Sequence, residues 1–252
     1  MLAVLSPAKT LDYDSILPDW VESEPPRLTR EAGRIARAAA RLSAADLERI
    51  MAISPKLAAL NAARFKNFRR APARPALFAF AGDVYTGFEA RSLDEPAVQF
   101  AQSHVRILSG LYGLLRPLDA IRPYRLEMGT RWGPDAPDLY AYWGDRVANA
   151  LSRDLRAEGS RTIVNLASQE YWRAVRAAPP RHATILTIDF LQAKPDGPRF
   201  ESFAAKRARG MMARFLCEHR IDDPAGLKHF DSDGYRFDAA GSDERRWRFV
   251  RG

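Results

Sequence analysis

The sequence is poor in the features that mark secreted, disulfide-linked and membrane proteins. Cys217 is the only cysteine in 252 residues, so neither an internal disulfide nor an all-cysteine metal site can form. No apolar run approaches the roughly 18 residues that a bilayer-spanning helix needs. The opening residues, MLAVLSPAKTLDY, lack the charged segment and the apolar stretch of a secretory signal. These absences predict a cytoplasmic protein that does not enter a membrane.

Metal ligands and reactive thiols are also scarce. The four histidines are scattered along the chain, and Cys217 and His219 lie two residues apart, a helical spacing at which side chains point in different directions. The stretch 231–234, Asp-Ser-Asp-Gly, resembles a calcium loop but has no glutamate at the required downstream position. Apolar neighbours of Cys217, among them Phe215 and Leu216, predict a raised thiol pKa and therefore no peroxide-sensing thiolate. We predict no metal site and no bound cofactor.

Positive charge is what the sequence has in excess. There are 39 Lys and Arg residues against 31 Asp and Glu residues, which gives a formal net charge of +8. This balance favours an anionic partner, either a nucleic acid or a small anion such as a nucleotide or phosphate, without choosing between them. Apolar residues make up 46% of the chain, enough for a sizeable core, so a disordered or fibrous protein is excluded.

The pattern of apolar residues predicts one domain over residues 1–252, of the α/β class (mixed α+β). Strands are predicted at 1–5, 77–80, 104–108, 162–166, 184–190, 235–237 and 247–249. Helices are predicted near 29–42, 43–51, 56–68, 96–103, 138–155, 168–175 and 203–220. Because strands alternate with helices after residue 76, we expect a mixed sheet flanked by helices. The helices before Pro72 indicate an N-terminal helical lobe at about 29–70.

Eight motifs spread along the whole chain match one protein family. They are SPAKTLDY at 6–13, KLAALNAARF at 56–65, FAGDVYTG at 80–87, LSGLYGLLRPLD at 108–119, PYRLEMG at 123–129, YWGD at 142–145, NLASQEY at 165–171 and KRARGMMARF at 206–215. Through these motifs the sequence resembles the YaaA family of bacterial peroxide-stress resistance proteins. The resemblance implies a cytoplasmic protein that acts during hydrogen peroxide stress, lowers unincorporated iron and so limits Fenton damage.

The resemblance also implies binding to duplex or branched DNA without sequence preference, a basic cleft and a helix-hairpin-helix element. That element would lie on residues 43–68 of the helical lobe, where Ser43 can cap the first of its two helices. Its turn, at 53–56, has no glycine, but Ser54 can cap the following helix with Pro55 at the first helical position. Lys56 would then lie at the positive end of that helix, where a phosphate can bind. An ordinary packed helical hairpin is the alternative.

The predicted helix at 203–220 offers a basic side. Lys206 and Arg209 lie on it, with Arg207 and Arg214 at its margin. Gly210 lies on the same side, where the missing side chain allows another backbone or a ligand to come close. This side is either an anion-binding surface or an ordinary solvated face, and the family resemblance favours the first.

A second basic cluster follows the strand at 104–108. The loop contains two glycines three residues apart, a spacing that lets backbone amides surround an anion, and Arg116 adds charge to it. Arg122 and Arg125 follow within a few residues and flank Tyr124, a combination that suits phosphate or base contacts. With Lys9, Lys56 and the arginines of the helix, these residues form the predicted DNA- or anion-binding set. A structural turn is the alternative explanation for the glycines.

Polar residues also follow several predicted strands, which points to a cleft. Lys9, Asp83 and Glu170 each come shortly after a strand, and the carboxyl ends of parallel strands are where ligands gather. We therefore expect Lys9, Asp83 and Glu170 to converge with Arg116 and Arg125, while loop capping and ion pairing are the alternative.

Two functions follow from these candidates. The first is a non-catalytic DNA-binding stress protein. The second is an enzyme acting on a nucleotide or another anionic small molecule, with Lys9 as clamp or base and Glu170 as general acid or base. In either case we expect Lys9, Arg116, Arg125 and Arg209 to surround one concavity.

Overall fold

A computed structural model describes residues 1–252. Its strands are β1 (Leu2–Leu5), β2 (Thr10–Leu11), β3 (Arg74–Pro75), β4 (Phe80–Ala81), β5 (Val105–Ser109), β6 (Gly113–Leu115), β7 (Ala120–Ile121), β8 (Thr162–Asn165), β9 (Thr184–Gln192), β10 (Tyr235–Phe237) and β11 (Arg246–Arg251). Its helices are α1 (Thr29–Ala39), α2 (Ala44–Met51), α3 (Pro55–Lys66), α4 (Ala76–Ala79), α5 (Asp83–Phe88), α6 (Glu95–His104), α7 (Leu139–Trp143), α8 (Arg146–Glu158), α9 (Gln169–Arg176) and α10 (Ser202–Glu218).

Seven of the strands form one mixed sheet in the order β10-β11-β9-β8-β1-β5-β6. The five central strands are parallel, and an antiparallel strand borders them at each edge, β10 beside β11 and β6 beside β5. All four residues of β1 are buried, as expected for a parallel strand covered on both faces. The mixed α/β class predicted from the sequence is confirmed, and the strands predicted at 235–237 and 247–249 are present and pair as a C-terminal β-hairpin.

The helices cover the sheet in two groups. In the first, α5 and α6 pack against α10, which also contacts β9 and β1. In the second, α9 contacts α7 and α8, while α8 contacts β6. The connection from β1 to β5 and the connection from β8 to β9 run in opposite directions across the sheet, so right-handed crossovers place them on opposite faces. The strand order therefore reverses at β1 and β8, and a crevice opens at their carboxyl ends.

The helical lobe is built from α1, α2 and α3, and its local signals act as expected. Ser43 caps α2 in a capping box with Asp46, and the Ser54 hydroxyl accepts a hydrogen bond from the Leu57 N–H at 3.4 Å, with Pro55 in the first turn of α3. Ala52 makes the turn between the helices in the left-handed region, at φ +49°, without a glycine. The two helices form a packed hairpin; a DNA-binding role for it remains a prediction.

Two element predictions are wrong. Residues 77–80 do not form a strand: Ala76–Ala79 is a short buried helix, and only Phe80–Ala81 pairs, with β2. A short buried apolar run has no periodicity that separates strand from helix, so the neighbouring contacts decide. The helix predicted at 138–155 is two helices, because Gly144 adopts φ +51° between them.

Candidate functional site

The carboxyl ends of β1 and β8, here called the carboxyl edge, bring together Lys9 and the segment 123–129. The Lys9 Nζ lies 3.6 Å from Glu127 Oε1, and the Arg125 Nε donates to the same oxygen at 3.0 Å. Asn61 of α3 fixes the segment, since its side chain accepts from the Arg125 N–H at 3.0 Å and donates to the Arg125 carbonyl at 2.6 Å. One carboxylate oxygen is thus shared by two cations.

Glu127 was not predicted as a site residue from the sequence. Its side chain is only 15% exposed, and its second oxygen, Oε2, is buried and has no hydrogen-bond partner. The sequence signal that was available is its spacing of two from Arg125, because in extended backbone such residues point to the same side.

Glu170 reaches the carboxyl edge from the start of α9. Its Oε1 accepts a hydrogen bond from the Gly129 N–H at 3.0 Å. Ser168 caps α9, and its own N–H donates to the Ser6 hydroxyl at 2.9 Å, which ties the loop after β8 to the loop after β1.

Asp83 opens α5 beside the loop that carries Lys9. A Cβ placed on the preceding residue, Gly82, would lie 3.3 Å from the Ala8 Cβ, which shows how closely the two segments approach. The Asp83 carboxylate lies 3.7 Å from the Lys206 Nζ of α10. Lys9, Asp83, Arg125, Glu170 and Lys206 thus all belong to segments at the carboxyl edge.

Arg116 does not lie there, and this expectation is wrong. It follows β6, which runs antiparallel to β5 and returns the chain to the opposite end of the sheet. Its guanidinium is bound to Glu24 at 2.8 Å and to Asp119 at 2.9 Å, so it is part of an internal ion-pair network.

Arg209 does not face an open concavity either. Helix α5 crosses α10 at Gly210 so closely that a Cβ there would lie 1.7 Å from the Val84 carbonyl oxygen. The close approach expected at Gly210 is therefore made by another helix backbone. Arg209 is largely covered, burial lowers its pKa and its Nε has no partner. Lys9, Arg116, Arg125 and Arg209 therefore do not surround one concavity.

The other basic residues of α10 divide between internal and exposed roles. Arg214 donates to the carbonyls of Phe88 and Glu89, at 3.2 and 3.0 Å, and so caps the end of α5. Arg207 is exposed and forms no ion pair. Lys56, at the start of α3, is also exposed and unpaired.

Arg122 lies in a different place, a groove of about 740 Å³ between α1 and the end of α3. Five basic residues and no acidic residue line this lobe groove: Arg37, Lys66, Arg69, Arg70 and Arg122. None of the five forms an ion pair. The Arg122 Nε donates to the Ala71 carbonyl at 3.2 Å, and the other four side chains are exposed.

The solvent face of α1 extends the positive charge of the lobe groove. Arg30, Arg34 and Arg37 are exposed and recur at i, i+4 and i+7, so they form an arginine ridge within about 60° of the helix circumference. Arg41, two residues beyond the end of α1, is exposed as well, and only Arg34 has an acidic partner, Asp135 at 3.3 Å. This arginine ridge was not among the sequence predictions, although its spacing is visible in the sequence.

Buried tyrosines connect the two regions. The Tyr112 hydroxyl accepts from the Arg122 N–H at 2.9 Å, and the Tyr124 and Ser109 hydroxyls are 2.6 Å apart. Burial raises the pKa of Tyr112 to about 12 and raises the pKa values of Tyr85 and Tyr171 as well. These side chains are neutral structural groups at physiological pH.

The remaining sequence expectations concern thiols, metals and membranes. Cys217 is buried and its pKa is raised by that burial, as the apolar neighbours predicted. No group of three or more His, Cys, Asp and Glu side chains is arranged to hold a metal ion. None of the helices combines the length and apolar character needed to cross a bilayer.

Comparison with known proteins decides the family. The family model described as peroxide stress protein YaaA matches residues 1–241. The chain belongs to the YaaA family of peroxide stress proteins. Among YaaA-family relatives, a UPF0246 protein of Rhizorhabdus wittichii is 62% identical, over 100% of this chain and 99% of its own length.

Two further relatives show the same end-to-end match. A UPF0246 protein of Jannaschia sp. is 52% identical over 93% of this chain and 91% of its own length. One of Laribacter hongkongensis is 47% identical over 100% of this chain and 99% of its own length. Membership of the YaaA family supports a role in peroxide stress.

Proposed function

We propose that the protein binds the phosphate backbone of duplex or branched DNA through the lobe groove and the arginine ridge, and protects DNA during peroxide stress. The observation that carries the proposal is the set of five basic side chains in the lobe groove with no carboxylate among them. Unpaired like charges repel one another, so their collection in one groove is favourable when an anion binds there.

The geometry of α1 suits contacts with a row of DNA phosphates. The ridge from Arg30 to Arg37 spans seven residue steps, or about 10 Å along α1, and DNA carries about one phosphate charge per 1.7 Å of its axis. Arginine forms bidentate hydrogen bonds with phosphate. Contacts of this kind neutralise the backbone without reading bases, so the proposed binding is independent of sequence.

The exposed Lys56 at the start of α3 is a candidate for an additional phosphate contact in the helical hairpin. Arg207 is a further exposed candidate on α10, whereas Lys206 lies 3.7 Å from the Asp83 carboxylate and is not assigned to the interface. Arg116, Arg209 and Arg214 are excluded from the interface by the internal roles described above.

The proposal has a cellular part that follows from family membership. During peroxide stress, DNA is damaged where unincorporated iron reacts with hydrogen peroxide, and we propose that the protein also lowers that iron. This part is tested on its own, by measuring chelatable iron in peroxide-treated cells with and without the gene. Equal iron levels in the two strains would remove the iron role and leave the DNA-binding role to its own test.

The DNA-binding part is tested with fluorescence anisotropy of a labelled duplex at about 50 and about 200 mM salt. In the variant Arg69→Glu/Arg70→Glu, we expect at least about a tenfold loss of affinity at low salt. The slope of log affinity against log salt should fall by about 0.9 for each phosphate contact removed.

The matched control is Arg220→Glu/Arg245→Glu, which changes the net charge equally at two exposed, unpaired arginines outside the lobe. We expect the control to keep most of the affinity. Equal losses in the two variants would show that only net charge matters, and would overturn the assignment of the lobe groove. Absence of binding by the unchanged protein at low salt would overturn DNA binding altogether.

A further inference from the structure

The carboxyl edge has the arrangement of a small-molecule site, separate from the lobe groove. Loops from four distant parts of the chain meet there: residues 6–10, 82–83, 123–129 and 165–171. The crevice lies where the strand order of the parallel sheet reverses, which is the usual position for a ligand in such sheets.

The cations at this edge are not fully neutralised by carboxylates, so an anionic group can bind there. Lys9 and Arg125 share the single oxygen Oε1 of Glu127, so two cations face one carboxylate. The Lys9 side chain is 67% exposed, and only the Nε of the Arg125 guanidinium donates to a protein acceptor. The terminal nitrogens of Arg125 are therefore available, and their fork geometry matches a phosphate or a carboxylate.

The second oxygen of Glu127 lacks a donor. Oε2 is buried without a hydrogen-bond partner, and an unsatisfied buried carboxylate oxygen is costly. Because both oxygens are bonded to the same carbon, the position for this missing donor is next to the position for the anion. A ligand that fits both must carry a donor on an atom close to its own oxyanion.

The surroundings limit how much of a ligand can enter. Pro7, Ala8, Tyr124 and Tyr171 line, together with the charged residues, a recess of only about 10 Å³, which is room for about one water-sized group. This space admits a hydroxyl or ammonium donor and excludes a duplex, while the oxyanion and the rest of a ligand would lie outside it, against Lys9 and Arg125.

We propose that the carboxyl edge binds a small molecule that carries a phosphate or carboxylate group directly beside a hydroxyl or ammonium donor. The oxyanion lies between the Lys9 ammonium and the Arg125 guanidinium, and the donor hydrogen-bonds to Glu127 Oε2. Two kinds of compound have this chemistry: a phosphate ester with a vicinal hydroxyl, as in a ribonucleoside 3′-monophosphate, and an α-amino acid.

Two matched ligand pairs test the proposal by calorimetric titration of the full chain. The first is adenosine 3′-monophosphate against its 2′-deoxy counterpart, and the second is alanine against propionate. Within each pair only the first member has the donor. We expect the donor-bearing member of one pair to bind at least about tenfold more tightly than its partner, as for a hydrogen bond to a charged group. The pair that shows this preference identifies which of the two kinds of compound binds.

The variant Glu127→Gln has almost the same size but removes the negative charge. We expect it to abolish the preference within the responding pair, and to leave the donor-free anion bound as well as before or better, because Lys9 and Arg125 lose their competing partner. A purely structural role for Glu127 would weaken both members alike. Lys9→Ala should weaken the binding of both members several-fold. Because the Lys9 side chain is exposed, the substitution should leave the fold intact, which the melting temperature checks.

Three outcomes would overturn the proposal: no preference within either pair, a preference that persists in Glu127→Gln, or binding that Lys9→Ala leaves unchanged. The lobe variant Arg69→Glu/Arg70→Glu should bind the same ligands as the unchanged protein. Separate experiments therefore test the small-molecule site and the DNA-binding function, and either proposal can fail without the other.

Discussion

In the lobe groove, five basic side chains share a surface without a carboxylate, whereas at the carboxyl edge Lys9 and Arg125 lie against Glu127, and Lys206 lies near Asp83. The first arrangement leaves unbalanced positive charge over a wide surface. In the second, the charges are largely matched and one unsatisfied acceptor, Glu127 Oε2, remains. Counting basic residues does not separate these two environments; the positions of the acids do.

The two regions also differ in how they are built. The arginine ridge lies on a single helix, α1, and follows from short-range spacing along the chain. The carboxyl edge is assembled from segments up to about 160 residues apart, as in the hydrogen bond between Ser168 and Ser6. We expect the carboxyl edge to depend on tight tertiary packing more strongly than the lobe groove does.

The largest expected effect is on stability, and it comes from replacing a glycine by alanine outside the lobe, compared with the same replacement inside it. Gly210→Ala would place a Cβ 1.7 Å from the Val84 carbonyl oxygen, between α5 and α10, and should lower the free energy of unfolding by roughly 3 kcal/mol or more. In Gly33→Ala, the new Cβ on α1 meets only the flexible end of Arg37, at 3.2 Å. This substitution should raise the free energy of unfolding by up to about 1 kcal/mol.

Urea denaturation followed by circular dichroism measures both glycine variants. The apolar residues of the lobe belong to the same core cluster as those of the sheet, so we expect one cooperative transition in each protein. Equal stability of Gly210→Ala and the unchanged protein would contradict the tight crossing of α5 and α10. Two separate transitions would contradict the single domain predicted for residues 1–252.

The second prediction concerns alkaline pH, where the responsive groups all lie outside the helical lobe. Burial raises the pKa of Tyr112 to about 12, above the value near 10 expected in the unfolded chain. The unfolded state therefore ionises first, and the stability that this tyrosine contributes is complete below about pH 10 and is lost as the pH rises toward 12. Tyr124 and Tyr171 are shifted in the same direction.

Tyrosinate absorbance and circular dichroism, recorded together from neutral to alkaline pH, check this prediction. Loss of structure should coincide with ionisation of the buried tyrosines. Residues 29–70 contain no tyrosine, so the lobe has no such group of its own. Normal titration of all eight tyrosines near pH 10 in a folded protein would contradict the burial described here.

The third prediction compares charge removal in the two regions. Arg37→Ala/Arg70→Ala removes two unpaired cations from the lobe groove, and should reduce the salt slope of DNA binding by about 1.8, or 0.9 for each phosphate contact. Lys9→Ala/Lys206→Ala removes two cations that lie near carboxylates, and should change the slope much less. Anisotropy titrations over a series of salt concentrations measure both slopes. A larger change in the second variant would reverse the assignment.

The smallest expected effect is local to the lobe. Ser43→Ala removes the hydroxyl that accepts from the Asp46 N–H at 3.1 Å, and should cost about 1 kcal/mol of unfolding free energy, as for other helix caps. Ser43→Asp keeps an acceptor and should recover most of that loss. Chemical denaturation gives both values, and no difference between Ala and Asp would show that the capping box does not stabilise α2.

Local signals in the sequence predicted local structure well. Ser43 and Ser54 cap their helices as expected, because a cap needs only its own neighbours. The placement of Lys9 and Glu170 after β1 and β8 was also visible, since residues that follow parallel strands share an edge. Their roles there remain proposals.

Other residues could not be placed from the sequence, for physical reasons. Arg116 was expected at the carboxyl edge, but the antiparallel return of β6 takes it to the other end of the sheet. Arg209 was assigned to a basic face, but its side chain is largely buried in the folded protein. Glu127 was not predicted as a site residue, because its contact with Lys9 joins positions that are distant in sequence.

By itself, the sequence determined the class of fold, the positive charge, the caps of the lobe helices and the family, because these depend on composition, short-range periodicity and contiguous motifs. Only the tertiary structure decided which basic residues are available to an anion. Availability depends on whether a carboxylate or other parts of the chain cover the side chain, as Asp119 does for Arg116 and as burial does for Arg209. Electrostatic interactions act through space and not along the chain, and so the same residue type forms a structural ion pair in one place and is an exposed, unpaired charge in another.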